Sequence, residues 1–141
     1  VARQRNATVA LFGSPREREL CAHVAALVES LGVHAKNLAG QTTLSQFIDL
    51  ASACLLFLTN DSGSMHIAAA AGVPTIAVFG ATNHITTGPT GPLARVIREP
   101  VECSPCLKRE CPIDHRCMDR VPAGRVSREA LLLIDQLRSN G

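Results

Sequence analysis

Leu55-Leu-Phe-Leu-Thr-Asn60-Asp-Ser-Gly-Ser-Met-His66-Ile-Ala-Ala-Ala-Ala-Gly72-Val-Pro-Thr75-Ile-Ala-Val-Phe79-Gly80 decides how this 141-residue chain folds. Leu55–Thr59 is apolar at nearly every position, so neither face of a strand there would suit water. A strand of that kind belongs in a parallel sheet covered on both sides. Asn60–Gly63 breaks the run, and an Ala-rich helix is predicted from about Ser64 to Ala71, closed by Gly72 and Pro74. Thr75–Phe79 is a second apolar strand, stopped by Gly80. Strand, helix and strand joined by short links form the unit of a parallel α/β sheet.

The flanks continue the alternation. Thr8–Phe12 reads as a strand ended by Gly13-Ser-Pro15, with Pro15 placed for a first helical turn. Leu20, Val24, Leu27, Val28 and Leu31 then recur at helical spacing up to Gly32. His34–Leu38 is a brief strand, and Thr43 or Ser45 can cap a helix carrying Phe47, Ile48 and Ala51. Ala94–Ile97 is an edge strand, and Ser127 can cap a final helix through Leu131, Ile134 and Leu137. The predicted fold class is α/β, a Rossmann-like open parallel sheet with helices on both faces, in a single domain over 1–141.

Charge and composition narrow the function. Fourteen Lys and Arg against twelve Asp and Glu give a net charge of +2, which exerts no general pull on nucleic acid or acidic membranes. With 46% hydrophobic residues the chain is too apolar for disorder, and no run of eighteen apolar residues is present to span a bilayer. The opening Val-Ala-Arg-Gln-Arg has no initiator Met and no apolar signal run, and reads as the interior of a longer polypeptide. Asn37–Ala94 holds no Lys or Arg and only Asp49 and Asp61 as carboxylates, which marks it as the buried centre.

Ligands of parallel sheets lie beyond the carboxyl ends of the strands. Three segments qualify: Gly13–Glu17, Asn60–His66 and Gly80–Asn83. The second carries the most chemistry. Asp61 or Ser62 can cap the helix, Gly63 permits close approach, and Ser64 and Met65 offer unpaired amides, which together make a phosphate site. His66 follows within reach of a phosphate oxygen. As plain structure, the first two would be caps and His66 a satisfied core residue.

Thr59–Gly80, with Leu11-Phe-Gly-Ser-Pro-Arg-Glu17, Asn37-Leu-Ala-Gly-Gln-Thr42 and the strand ending Arg95-Val-Ile97, resembles the C-terminal domain of bacterial ADP-heptose:lipopolysaccharide heptosyltransferases, most nearly of the heptosyltransferase II type. The resemblance implies one half of a GT-B fold (glycosyltransferase family 9) and inverting transfer of heptose from ADP-heptose to the lipopolysaccharide inner core. It implies that the amides of Ser62, Gly63 and Ser64 hold the ADP diphosphate, with His66 nearby and Asp61 close to the sugar phosphate. It matches Glu17 to an acidic donor contact and places Gly80 and Thr82 along the nucleotide pocket. No metal is required for transfer in that family. The acceptor meets the N-terminal domain, which supplies the catalytic base, so no catalytic residue is assigned here and this polypeptide alone is expected to be inactive.

The family's C-terminal domain opens with a strand, a glycine loop and a Lys that precede Val1 in register. Thr8–Phe12 and Leu55–Thr59 are therefore expected either to pair directly or to leave the sheet incomplete. The implied location is the cytoplasmic face of the inner membrane, in peripheral contact with it.

Cys103, Cys106, Cys111 and Cys117 are spaced C-x2-C-x4-C-x5-C around His115. Four thiolates in a short loop can surround a tetrahedral structural zinc. Reduced thiols, local disulfides and an iron–sulfur cluster fit the same residues. Lys108, Arg109, Arg116, Arg120, Arg125 and Arg128 give this region a mildly basic, solvated surface. Cys21 and Cys54 read as small buried residues. Two other functions remain open on the sequence: a metal-binding or interaction module, and a different GT-B nucleotide-sugar enzyme.

Overall fold

A computed structural model describes residues 1–139, and it divides the chain into two compact units, one over Val1–Phe47 and one from Ile48 onward. The sequence reads as one domain around one sheet; each unit instead has a parallel sheet of its own. The first unit contains α1 (Ala2–Arg5), β1 (Val9–Leu11), a 3-10 turn (Pro15–Glu17), α2 (Arg18–Ser30) and β2 (Ala35–Asn37). β1 and β2 run parallel, with Val9 opposite Ala35 and Leu11 opposite Asn37. The second contains β3 (Phe57–Asn60), α4 (Gly63–Ala70), β4 (Thr75–Phe79), α5 (His84–Thr87), β5 (Ala94–Arg98), α6 (Arg116–Asp119) and α7 (Ala123–Ser139). Its strands lie in the order β3-β4-β5, all parallel, with Phe57 opposite Thr75 and Thr75 opposite Ala94. The unit boundary falls within α3 (Leu44–Ser52).

In the first unit α2 packs on both strands. Asn37 fastens the end of β2: its Nδ2 donates to Arg18 O at 2.9 Å, and its Oδ1 accepts from Ala39 N at 3.0 Å. Phe12 and Phe47 meet edge to face with ring centroids 5.1 Å apart. Gly40 is a backbone requirement, at φ +67° with Pro15 Cα only 2.8 Å from where a Cβ would stand. No residue of α2 is fully buried, and Leu20, Leu27 and Leu31 stay exposed. A two-stranded sheet is too narrow to cover the apolar stripe of a 13-residue helix.

The core of the second unit is mostly aliphatic, with Phe79 the largest fully buried side chain. Met65 and Ala68 of α4, Ile76, Ala77 and Phe79 of β4, Ile97 of β5 and Ala130, Leu133 and Ile134 of α7 are all buried. Met65, Ala77 and Phe79 form one cluster with Val96 against it. This confirms the charge-poor segment as the source of most of the buried side chains. The expectation that both faces of the Leu55–Thr59 strand are covered does not hold. Leu58 is 58% exposed while Phe57 is buried, because successive side chains of β3 point to opposite faces and only the Phe57 face is covered. Nor do Thr8–Phe12 and Leu55–Thr59 pair: among the described residues β1 bonds only to β2, and β3 only to β4. The sheets are therefore left incomplete, the other of the two expected outcomes.

Candidate functional site

The sharp turn after β3 sets Asp61 and Ser62 between the strand and α4. Ser62 stands at the N-cap in an extended conformation (φ −156°), yet its side chain caps no amide. Its hydroxyl instead meets Ser64 Oγ at 2.6 Å and Thr59 Oγ1 at 3.2 Å. The amides of Gly63 and Ser64 consequently have no partner among the described residues. Met65 differs from the expectation: its N–H donates to Ser62 O at 3.1 Å, so only the first two amides of the helix are free. No atom lies within 4 Å of where a Cβ of Gly63 would stand, so the approach is open.

Asp61 is half-buried and His66 exposed, and no hydrogen bond or ion pair engages either side chain among the described residues. His66 is therefore not a satisfied core residue, and Asp61 is not a cap. Buried Met65, in the same helical turn, anchors the corner from beneath. Two free amides, a hydroxyl pair and the positive end of an α-helix dipole can hold a phosphate oxygen pair. Thr59 belongs to this set and was not singled out from the sequence. Its signal is a hydroxyl closing an apolar strand just ahead of a Ser-Gly-Ser turn.

Gly80 and Thr82 lie after β4. Gly80 is buried, and a Cβ there would stand 2.7 Å from Met118 Sδ and 3.1 Å from Cys117 Sγ. Ser104 Oγ donates to Gly80 O at 2.6 Å, and Leu107 N donates to Ala81 O at 2.8 Å. The cysteine-rich loop thus sits on the Gly80 corner, and Gly80 faces sulfur. Thr82 stays half-buried beside it. Asn83 caps α5, its Oδ1 accepting from Ile85 N at 3.0 Å.

Glu17, in the first unit, is exposed and locally employed. Its Oε2 accepts from Ser14 N and Ser14 Oγ, each at 2.7 Å. These two bonds hold its carboxyl below the ordinary range.

The four clustered cysteines, all free, line one cavity of about 170 Å³ together with Ala81 and His115. His115 N donates to Cys111 Sγ at 3.3 Å. Amides of Ile113 and His115 lower the Cys111 thiol, whereas burial, followed by the charge of neighbouring thiols, raises Cys117. Arg116 is spoken for, its Nε 2.9 Å from Asp114 Oδ1 and its Nη1 3.7 Å from Glu102. As the side chains are placed, no three His, Cys, Asp or Glu residues among those described are gathered tightly enough to hold a metal ion.

Comparison with known proteins bears on the fold and the family. The model of the family described as glycosyltransferase family 9 (heptosyltransferase) matches residues 1–116. The chain is 33% identical over 129 residues to a lipooligosaccharide heptosyltransferase 2 of Campylobacter jejuni, covering 89% of this chain and 40% of that protein. It is 43% identical over 91 residues to the lipopolysaccharide heptosyltransferase 2 of Escherichia coli, covering 64% of this chain and 26% of that protein. Among solved structures it matches the E. coli ADP-heptose lipopolysaccharide heptosyltransferase II with a TM-score of 0.80 and 32% identity, over 97% of this chain and 40% of that one. A family 9 glycosyltransferase of Veillonella parvula shares the fold at a TM-score of 0.74 and 24% identity. The expected Rossmann-like half of a GT-B fold is thereby borne out. The chain spans about 40% of the length of the first of these relatives.

Proposed function

Because the chain belongs to glycosyltransferase family 9, the heptosyltransferases, we propose that it is the donor-binding half of an enzyme that moves heptose from ADP-heptose to the inner core of lipopolysaccharide, with inversion. The observation that carries this reading is the open corner at the start of α4. Among the described residues the amides of Gly63 and Ser64 have no partner, and none fills the space before Gly63.

In this reading the ADP diphosphate lies on the amides of Ser62, Gly63 and Ser64. As the bond between heptose and phosphate breaks, charge grows on the departing diphosphate, and fixed amides with the helix dipole stabilise it without reorganising. No metal ion is assigned to that step. His66 donates to a phosphate oxygen from one turn further along, and Asp61, with no partner among the described residues, faces the sugar side. Thr82 completes the donor contacts, while Gly80 supports the wall from behind. The acceptor and the group that takes its proton belong to the other half of a GT-B enzyme. We place the enzyme at the cytoplasmic face of the inner membrane, held peripherally. No helix among the described residues is long and apolar enough to cross a membrane.

Titration with ADP, followed through backbone amide chemical shifts, tests the reading. Shifts centred on Ser62–His66 are expected. Absence of any shift there, or shifts confined to Cys103–Cys117, would overturn it.

A further inference from the structure

The cysteine loop has sequence features that donor binding leaves unused. Between Val101 and Arg120 the only regular element is the four-residue α6, and Leu107, Ile113 and Met118 are exposed rather than packed into a core. A loop this long with no core of its own requires another source of order. Its cysteines offer one: Cys103, Cys106, Cys111 and Cys117 all line a single cavity.

We propose that these four cysteines bind one thiophilic divalent cation of the zinc class, and that the ion staples the loop onto the corner formed by Gly80 and Ala81. Three observations carry the inference. First, Cys103, Cys106, Cys111 and Cys117 of one short loop line the same cavity, and four cysteines are the full complement of a closed tetrahedral site. Second, the backbone already turns toward a sulfur ligand. His115 takes a left-handed conformation (φ 54°), and its N–H donates to Cys111 Sγ. Outer hydrogen bonds of that kind orient metal-bound ligands and offset their charge. Third, Lys108 and Arg109 line the same cavity, and an ion held by four thiolates carries two net negative charges for them to balance.

The sulfurs need side-chain rotation to converge on an ion, since they are not gathered around one point as they stand. Each thiol releases its proton to solvent as it binds, and no electron is exchanged. The staple follows from contacts already made. Ser104 and Leu107 bond to Gly80 and Ala81, and Cys117 with Met118 covers Gly80, so fixing the sulfurs fixes that corner. This inference does not rest on the donor-binding reading.

The test uses the reduced protein, stripped by chelator and titrated anaerobically with Co2+ as the probe. The expected result is the near-ultraviolet thiolate-to-cobalt absorption with tetrahedral visible bands, saturating at one equivalent and bleached by Zn2+. Cys103→Ser and Cys111→Ser are expected to abolish this spectrum, and Cys54→Ser to retain it; circular dichroism reports whether each variant folds. Zn2+ is also expected to slow hydrogen exchange at the Leu107 amide by roughly tenfold or more. A folded, reduced protein that gives no thiolate-to-cobalt band would overturn the site, as would a thiol count showing the four paired as disulfides. Cobalt binding with Leu107 exchange unchanged would overturn the staple.

Discussion

Gly63→Val isolates the corner after β3 from the stability of the fold. Gly63 does not occupy the left-handed region, and no neighbour lies within 4 Å of its missing Cβ. Valine is therefore accommodated by the free chain, and it is a better helix former than glycine. Folding stability should stay within about 0.5 kcal/mol of the parent. Binding should not. The isopropyl group fills the open approach and lifts a bound phosphate off the Gly63 and Ser64 amides. Hydrogen bonds to a charged group contribute about 1.5–3 kcal/mol each, so losing one to two of them costs about 3 kcal/mol, on the order of a hundredfold in Kd. Isothermal titration with ADP measures the binding, and urea unfolding measures the fold. Gly63→Ala should fall between the two, because one methyl intrudes less. An ADP affinity unchanged to within about twofold, or a loss matched by an equal loss of stability, would refute the assignment of this glycine to phosphate approach.

Other substitutions probe the remaining parts. Gly40→Ala places a side chain at φ +67° against Pro15, and should lower the urea midpoint by an amount equivalent to about 2 kcal/mol or more. Ile76→Ala, at a site with no exposure, should cost about 2–5 kcal/mol, whereas Leu58→Ala on the bare face should cost less than about 1 kcal/mol, in the same denaturation assay. Glu17 gives a pH-dependent signature. Its folded-state pKa lies below the ordinary 4.5, so its contribution is present above that pH and is lost as pH falls through the folded value. Glu17→Gln should therefore lower the melting temperature at pH 7 and converge with the parent in strong acid; parallel curves across that range would dismiss the Ser14 bonds as the cause.

How much of this was legible depended on the range of each interaction. β4 was read at its true bounds because Thr75–Phe79 is apolar on both faces between Pro74 and Gly80, and those signals are local. The start of α4 was placed within one residue for the same reason. The start of α7 was missed. Ser127 looked like its cap, but the helix begins at Ala123, and the Ser127 hydroxyl merely bonds back to Gly124 O at 3.1 Å. Pro122 was the better signal, since proline suits the edge of a first turn. At the candidate site, residue types and their order gave the position of Asp61–His66. They could not give the pairing of Ser62 with Ser64, because a serine at an N-cap has a choice of partner that only the local rotamers decide. Still less could they show Met118 and Cys117 over Gly80, a contact that spans nearly forty residues of sequence.

That last contact changes how the two special regions relate. The sequence suggests a transferase site and, separately, a cysteine loop. In the structure both rest on β4: the strand contributes Ala77 and Phe79 to the cluster that seats Met65, and its exit glycine receives Ser104, Cys117 and Met118. Met65 in turn fixes the helical turn whose outer side presents Gly63, Ser64 and His66. One buried strand thus holds the phosphate corner at one side and the loop at its end. An ordered loop protects the end of β4 from fraying, and whatever loosens it acts first on Gly80 and Ala81, where the bonds are, before it reaches the tightly packed interior. Loop and corner are thus coupled only through β4, so loosening the loop should reach Gly63 and Ser64 weakly and after Gly80 and Ala81.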